Sequence, residues 1–589
     1  MKNMEKKDNI LRYYEAEMRY LKEAGEDFAE VHPDAAQYLK MQDSLERDPM
    51  VERLFEGFAF LAAKLYQKID DDMPELTESS VALLWPHHLQ PIASMSIVQL
   101  MLNEEIYTND QHIPAGLILQ TAVDTNTGIS CEYRTTQSVD IYPVEINDFR
   151  LVHNDIGQSV IQLRLQLRQT NAGQNIRLPD NFSLKFHLVG EIETRLSIYH
   201  YLTNYLSHIT TDEDLNIINH KLILERTHFN YDSVTWLQNR QTNEHDLVME
   251  YFLFKEKFLF FELNNLSEKD FNNDKHELLV NFHLKRDFPL ELVFNRNYLK
   301  LFCVPVINLF DLEAEPVVRS PLHTEYKLSP TFSVKDQVTV CAVTEVESFS
   351  QISGKRKYYL PFNEFKHSKR QLNIFDKDRP YYYIRSRQGI GNHYDNFISF
   401  SGEIQPDEEE IFSISILGAN GNLPRQITKY NKILSLHSPV LGVKDAQMVM
   451  VPTALHYPPD YKNQQWQLLF EMSNNYLATL DTGTLKNSLR LLNWSTAAAN
   501  EKNIAAIHSV QTEIQHIMHH GMMIRCLVID IELDSTGFIN EADAALFAYI
   551  LNCYLIAYAQ LNLAIKVNVI LQPEAITLSW PVSVDEKIL

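Results

Sequence analysis

The sequence predicts a multidomain α+β protein, with an N-terminal helical region, β-rich middle domains and a mixed α/β C-terminal region. Three observations support this prediction: a length of 589 residues, helical periodicity near the start, and alternating apolar residues further along. A chain of this length exceeds what one hydrophobic core supports, so several domains are expected. We place an amphipathic helical region at 1–92, a mixed β-rich domain at 93–310, a β-rich domain at 311–443 and an α/β domain at 444–589.

Two amphipathic helices are predicted near the start of the chain. The first ends at His32 and Pro33, and its apolar stripe comprises Leu11, Tyr14, Met18, Leu21, Phe28 and Val31. The second begins at Asp48 and Pro49, an N-cap residue followed by a proline suited to the first helical turn. Its stripe comprises Val51, Leu54, Phe55, Phe58, Leu61, Leu65 and Ile69. Such a stripe packs equally well in an internal core or against a partner, so both interpretations stay open.

After Pro86 and Pro91 the periodicity changes from helical to alternating, which is typical of half-buried strands. Strands are predicted at Val160–Arg168, Ser183–Val189, Met249–Leu263, Glu277–Leu284, Gln337–Val346 and Ile411–Leu417. Helical spacing returns between Ile192 and Leu206. Loops rich in glycine and polar residues follow the later strands, at 389–396 and 418–424, and we expect the first of them to rearrange on assembly.

The C-terminal region alternates strands and helices. Helices are predicted at Leu485–Leu492, Ile504–His519 and Ala542–Leu561. The last of these lies in the most apolar stretch of the chain, but Asp543 stands near its start and Asn552 lies inside it. These polar residues predict a buried amphipathic helix rather than a membrane span.

The composition argues against several classes of protein. The net charge of -24 disfavours a surface that neutralises phosphates, so no nucleic-acid partner is expected. The first nine residues alternate charged side chains and no apolar run of the signal-peptide kind follows, which predicts a cytoplasmic protein. No two cysteines form a CxxC pair, so we expect reduced thiols in the core; they are Cys131, Cys303, Cys341, Cys526 and Cys553.

One short motif could suggest a protease. Asp481-Thr482-Gly483-Thr484 spells the nucleophilic turn of aspartic proteases, and Asp534 begins a distant echo of it. Such an enzyme needs two aspartates that face each other from equivalent β-lobes and share a proton. Here the two aspartates are separated by only 53 residues of partly helical sequence. A helix N-cap at Asp481 or Thr484 is therefore the favoured interpretation.

Histidine and glycine clusters also have ordinary interpretations. His516, His519 and His520 have the spacing that could hold a transition metal on a helix, but they are predicted opposite its apolar side, on a solvated face. His87 and His88 follow Trp85-Pro86 at a predicted helix end, where capping or packing is favoured. The glycine pairs at 389–391 and 418–421 lack the P-loop lysine. The sequence therefore predicts no catalytic residue, metal or cofactor.

Several multi-residue segments, in order along nearly the whole chain, form a recognisable signature. The first group is Tyr13–Leu21, Phe28-Ala29, His32-Pro33, Asp48-Pro49, Val51–Leu54, Phe58–Ala62, Asp70–Asp72, Pro74–Glu78, Leu84–His87 and Pro91. The second group is Glu250–Phe252, Lys257–Phe261, Phe302-Cys303, Pro305–Phe310, Ala314–Pro316, Thr324–Tyr326 and Leu489–Trp494. Together these segments resemble the TssF family of type VI secretion proteins, and collinear segments of this length are far more specific than one short motif.

The resemblance implies a structural subunit of the type VI secretion baseplate wedge, without enzymatic activity. Such a subunit assembles with TssG, commonly two copies to one, and with TssK and TssE around the VgrG spike, from which the tail tube and contractile sheath grow. A second TssF copy is an implied partner, and the membrane complex is reached only through the baseplate. No small-molecule substrate is implied. The implied location is the inner face of the cytoplasmic membrane when the baseplate is docked.

Candidate interface residues come from the two N-terminal helices: Tyr13, Tyr14, Tyr20, Phe55, Phe58, Leu61, Asp70, Asp71 and Asp72. The aspartates stand at the predicted end of the second helix, where acidic groups are unfavourable, so they suggest a basic partner surface. A solvated helix end is the plainer alternative. Two other functions stay open: a wedge protein of a related contractile particle or phage tail, and a hydrolase that uses the Asp481 turn.

Overall fold

The computed structural model describes residues 14, 17–21, 50, 53–64, 80–82, 84–103, 111–124, 127–154, 157–168, 178–211, 219, 221–227, 244–272, 276–289, 291–292, 294–320, 322–331, 338–350, 354, 356–362, 380–388, 394–401, 410–428, 432–440, 442–459, 468–469, 480–495, 497–519, 521–559 and 563–583. Their contacts divide the chain into two compact units. One unit comprises 1–89 with 460–469, and the other 90–459 with 470–589. The described fold is α+β, as predicted.

In the first unit, residues 14, 17–21, 50 and 53–64 are helical, in agreement with both predicted N-terminal helices, and Pro86–Leu89 forms a 3₁₀ turn. The second unit begins with strands β1 (Met95–Leu102), β2 (Gln111–Ile113), β3 (Ile118–Thr121), β4 (Glu132–Thr135), β5 (Val139–Ile141), β6 (Val144–His153), β7 (Ser159–Leu167) and β8 (Phe182–Leu188). Helix α1 (Ile192–Asn204) follows, then β9 (Leu206–Thr210), β10 (Ile223–Arg226), α2 (Glu244–Leu253), β11 (Phe260–Leu266), β12 (Glu277–Leu284), β13 (Leu299–Leu301) and β14 (Cys303–Ile307).

The later strands are β15 (Phe310–Glu313), β16 (Val317–Val318), β17 (Tyr326–Lys327), β18 (Thr339–Ser350), β19 (Arg356–Pro361), β20 (Tyr381–Gln388), β21 (Tyr394–Phe400) and β22 (Glu410–Ala419). After helix α3 (Leu423–Ile427) come β23 (Ile433–Leu436), β24 (Val443–Met448), α4 (Thr482–Leu492), α5 (Ala498–Ala505), β25 (Ile507–His519), β26 (Met522–Asp534), α6 (Glu541–Ile556), β27 (Ala564–Gln572) and β28 (Ile576–Ser579).

A closed six-stranded barrel in the order β1-β14-β4-β3-β23-β24 organises the second unit. Its strands come from distant parts of the sequence, so the chain leaves the barrel and returns twice. The first excursion, β5 to β13, separates β4 from β14, and the second, β15 to β22, separates β14 from β23. Inward side chains such as Val98, Leu119 and Tyr133 share one face of the strands and are fully buried. The barrel therefore fixes the places where both excursions begin and end.

Two buried asparagines close the second excursion. Asn308 follows β14 and Asn420 follows β22. The Asn308 amide donates to the Glu132 carbonyl (2.7 Å) and to Asn420 Oδ1 (2.9 Å), and the Asn420 backbone N–H donates to Asn308 Oδ1 (2.7 Å). Because buried amides are costly without partners, this exchange holds both ends of the excursion against barrel strand β4. Asn308 belongs to the segment Pro305–Phe310, one of those that carry the sequence resemblance.

The first excursion contains two four-stranded sheets, β10-β11-β8-β13 and β6-β7-β12-β9. Between α2 and β11 lies a buried ion pair, in which Lys257 Nζ and Glu250 Oε2 are 2.6 Å apart and both side chains are at most 1% exposed. Burial lowers the pKa of Lys257 and the Glu250 carboxylate opposes that shift. Both residues belong to segments that carry the sequence resemblance, and this pair gives those segments a structural role.

The second excursion forms a sheet with the strand order β15-β22-β18-β19-β20-β21-β17, in which β16 also pairs with β22. Its core contains Val346, Tyr359, Ile398, Phe412, Ile414 and Ile416. The rings of Phe400 and Phe412 stack with centroids 3.7 Å apart.

The C-terminal part forms the sheet β25-β26-β27-β28, in which α6 connects the parallel strands β26 and β27. Helix α6 is buried along most of its length because it packs on β27 and also on α1 and α2. At its first turn, the Glu541 carboxylate accepts hydrogen bonds from Tyr205 (3.0 Å) and Arg286 (2.9 Å) and lies 3.3 Å from His200. This cluster joins the C-terminal sheet to the first excursion.

Most of the predicted strands and helices are confirmed. The segments predicted as strands from alternating apolar residues include β7, β8, β12, β18 and β22 of the structure. The segments predicted as helices from helical spacing include α1, α4 and α6. The predicted strand Met249–Leu263 is wrong in its first half, which belongs to α2. A short, mostly apolar run fits a buried helix as well as a buried strand, and here burial on all sides favoured the helix.

The predicted helix Ile504–His519 is also wrong. Helix α5 ends at Ala505, and residues 507–519 form β25. Its apolar residues have helical spacing, but pairing with the β-branched run of β26 decides the structure, as tertiary context often does. The predicted loop 389–396 lies outside the described residues except 394–396, which begin β21; the loop at 418–424 is a strand end and turn before α3.

Replacing Lys257 with Met should destabilise the first excursion by about 3–5 kcal/mol, because the Glu250 carboxylate would lose its buried ammonium partner. The double variant Lys257→Met/Glu250→Leu should recover most of that loss, because it removes both charges. Hydrogen exchange in peptides from 244–266 measures both effects. A double variant as unstable as the single one would contradict the ion-pair explanation.

The Glu541 cluster predicts a stability change in acid. Burial opposes ionisation of Glu541, but the hydrogen bonds from His200 and Tyr205 and the charge of Arg286 outweigh it and lower the pKa to about 2. The folded state therefore gains stability above the ordinary pKa of 4.5 and loses it as the pH falls toward 2. Thermal midpoints of wild type and Glu541→Gln should converge as the pH falls through this range. A constant difference would contradict the prediction.

Candidate assembly surface

Helix 53–64 exposes large apolar side chains and buries small ones. Leu54, Phe58 and Leu61 are 72%, 55% and 66% exposed, whereas Ala59 and Ala63 are fully buried. At 100° per residue, the first three lie on one face and the two alanines lie opposite. A helix that serves an internal core has its large apolar residues inside. This helix has the reverse arrangement, and we call its exposed face, Leu54, Phe58 and Leu61, the apolar helix face.

The other candidate interface residues have varied surroundings. Phe55 and Tyr14 are half-buried, and Tyr20 is 63% exposed. Tyr13, Asp70, Asp71 and Asp72 lie outside the described residues. The role of these side chains in an interface stays a prediction. Leu54 was part of the predicted stripe but was missing from the candidates, because sequence alone does not show which part of a stripe is exposed.

Both aspartates of the protease-like motif cap the turns in which they stand. Asp481 accepts a hydrogen bond from the Thr484 backbone N–H (2.6 Å) at the start of α4, as the N-cap interpretation predicted. Asp534 accepts from the backbone N–H (3.0 Å) and hydroxyl (2.7 Å) of Thr536. These hydrogen bonds lower the pKa of each carboxyl. A proton-sharing pair would instead raise one of the two values.

The predicted helical cluster of histidines is wrong. His516 and His519 lie on strand β25, and His520 lies outside the described residues. Residues three apart on a strand alternate between its two faces, so helical spacing brings no convergence there. His516 is exposed, as expected of a solvated residue. Within the described ranges, no group of three His, Cys, Asp or Glu side chains has the arrangement of a metal site.

The thiols and the Trp85 segment have packing roles. Four of the five free cysteines are buried, as predicted, and Cys553 is half-buried. Burial raises the pKa of Cys131, Cys303 and Cys341 to about 12, which keeps these thiols protonated and unreactive. Trp85 packs on the His88 ring with centroids 4.3 Å apart, and both side chains are 1% exposed. This agrees with the predicted packing role of His88.

Among the described helices, none combines the length and the apolar character that a membrane crossing requires.

Sequence reasoning missed a second exposed apolar surface. Ile514, Met518 and Met523 lie on the β25–β26 hairpin and are 49%, 65% and 71% exposed. The surface was missed because the segment 504–519 was predicted as a helix rather than as a strand. The β-branched residues Val510, Thr512 and Ile514, at every second position of the segment, were the available signal for a strand.

A barrel-centred fold with exposed apolar surfaces suits a structural subunit of a larger assembly. Residues 6–587 match the family model described as type VI secretion system, TssF. The chain therefore belongs to the TssF family and is a subunit of the type VI secretion baseplate.

Individual relatives agree with this assignment. Type VI secretion system component TssF1 of Pseudomonas aeruginosa is 25% identical over 602 residues, which cover 94% of this chain and 95% of that protein. A chain in the TssK-TssF-TssG baseplate subcomplex solved by cryo-electron microscopy superposes with a TM-score of 0.75 and 29% identity, covering 91% of this chain and 99% of that one. A chain of the type VI secretion baseplate complex gives 0.63 and 28%, covering 97% and 99%.

The apolar helix face should tolerate polar substitution in the isolated protein. Phe58→Gln and Leu61→Gln should change the free energy of unfolding by no more than about 0.5 kcal/mol, because both side chains are exposed. Ala59→Leu should cost about 1–3 kcal/mol, because its site is fully buried. Thermal unfolding of the three variants checks this contrast. A large loss of stability for Phe58→Gln would show that the face is part of the core.

Proposed function

We propose that this chain is the wedge subunit that binds TssG, and through the wedge TssK, by means of the apolar helix face. The support is the exposure of Leu54, Phe58 and Leu61 on one side of a helix whose alanines are buried. Amphipathic helices commonly bind partners through apolar residues spaced in this way. The solved TssK-TssF-TssG subcomplex, which contains a chain similar to this one, supports the choice of partners.

Wider contacts belong to the same proposal. TssE and a second copy of this chain complete the wedge, the wedges surround the VgrG spike, and the assembled baseplate nucleates the tail tube and sheath. The protein acts in the cytoplasm, at the inner face of the membrane when the baseplate is docked. It positions other subunits and catalyses no reaction; the capping roles of Asp481 and Asp534 and the protonated thiols support this.

The test is co-expression with TssG, followed by size-exclusion chromatography with light scattering to measure the mass of the complex. Phe58→Gln/Leu61→Gln should weaken binding of TssG more than about tenfold, because large apolar anchors dominate interface energies. The matched control is Glu56→Gln/Lys64→Gln, which changes two exposed residues of the same helix away from that face. The control should bind like wild type. Equal binding by both double variants would contradict the proposed surface.

A further inference from the structure

Strand β25 is a long edge strand. It has 13 residues and occupies the end of the order β25-β26-β27-β28. In the described part of the chain its only strand partner is β26. The start of this edge is covered, because the Val510 backbone N–H donates to Thr482 of α4, but residues 511–516 are exposed. An exposed edge presents backbone N–H and C=O groups that are a template for pairing with another strand. Protein edges are usually covered or shortened, so an uncovered long edge calls for an explanation.

One hydrogen bond shows which residues of β25 direct their backbone N–H and C=O groups away from β26. The Val510 backbone N–H donates to the Thr482 hydroxyl (2.9 Å), a group outside the sheet. In an antiparallel strand, alternate residues direct both backbone groups to the same side. The outward residues beyond Val510 are therefore Thr512, Ile514, His516 and Met518, and the residues between them pair with β26. The register is regular from Ser509 to His519, so this alternation is not interrupted.

The exposed part of the hairpin is held in place from one side. Residues 511–516 of β25 are all exposed. On one face of the hairpin, Ile517 and Ile524 pack with Cys526, Val528 and Val582 in a small core. On the other face, Ile514, Met518 and Met523 have no such cover and are about half exposed or more. The edge is therefore an ordered, partly apolar surface rather than a loose end.

We infer that β25 pairs antiparallel with β25 of a second copy of this chain, about a two-fold axis at Ile514. This inference rests on the proposal that two copies share one wedge. In this register Ile514 lies opposite Ile514 of the other copy, and Thr512 lies opposite His516 of the other copy. Each such pair can exchange two backbone hydrogen bonds. The pairing ends with these residues, because the Val510 backbone N–H already donates to Thr482 of its own chain.

Charge favours this register over its neighbours. Around Ile514, the Glu513 carboxylate faces the Gln515 amide of the other copy. One N–H of that amide donates to Glu513 of its own chain (2.8 Å), and the second can donate across the two-fold axis. An axis at Glu513 would place two carboxylates opposite each other, which is destabilising. An axis at Gln515 would place Glu513 against Ile517. The self-complementary sequence around Ile514 is the reason to choose a second copy, rather than an unrelated strand, as the occupant.

A disulfide tests the register. Facing hydrogen-bonded residues have Cα atoms about 5.5 Å apart, which suits a disulfide. Ile514→Cys, co-expressed with TssG and mildly oxidised, should therefore form a dimer of this chain on a non-reducing gel. Gln511→Cys is the matched control, because the same register separates its two copies by about 20 Å. The native cysteines are buried or half-buried, and wild type measures their background.

A second variant tests the backbone contact. Adding Thr512→Pro to Ile514→Cys removes an outward N–H without removing a bond to β26, and should reduce the crosslinked fraction severalfold. A complex of Ile514→Cys that contains two copies by mass but gives no crosslink, or equal crosslinks from the variants at 511 and 514, would overturn the inference and leave the wedge intact. A crosslink from position 514 to another subunit would also overturn it. A mass with one copy would contradict both proposals.

Discussion

Closure of the six-stranded barrel is the constraint on which the second unit depends. A barrel forms only when each strand has two neighbours, and here four of the six neighbouring pairs are separated by more than a hundred residues. Each excursion must therefore fold into a body whose two ends lie close together. The exchange between Asn308 and Asn420 meets this requirement for the second excursion, because it ties together residues that are 112 positions apart.

Buried polar contacts determine which helices and turns pack together at places where apolar packing alone would allow several arrangements. The Lys257–Glu250 pair specifies one arrangement of α2 against the turn that follows it, because a displaced charge would be buried without its counterpart. The Glu541 cluster does the same for α6 against α1, and Lys255 pairs with the buried Asp543 nearby on α6. These contacts define geometry more than they add stability, which suits a subunit whose surfaces must fit several partners.

The sequence predicted local structure well and pairing poorly. Alternation over Val160–Arg168 gave β7, and the polar residues around Asp481 gave a helix cap, because both depend on neighbours in the chain. Closure of the barrel depends on contacts between distant residues, and the apolar periodicity of a segment does not report on such contacts. The segment 507–519 shows the limit, since its apolar spacing suits a helix and only pairing with β26 decides for a strand. For the same reason, the stripe on helix 53–64 could be predicted, but not its exposure.

The two exposed apolar surfaces differ in what they can recognise. A helix face presents side chains alone, so its specificity depends on shape and on the size of Leu54, Phe58 and Leu61. A strand edge adds main-chain hydrogen bonds, which every sequence can make, so its specificity must come from register and charge. Glu513 supplies this on β25, because it excludes the register that would place it opposite itself. A subunit with both kinds of surface can bind a different protein at one and its own copy at the other without confusing the two.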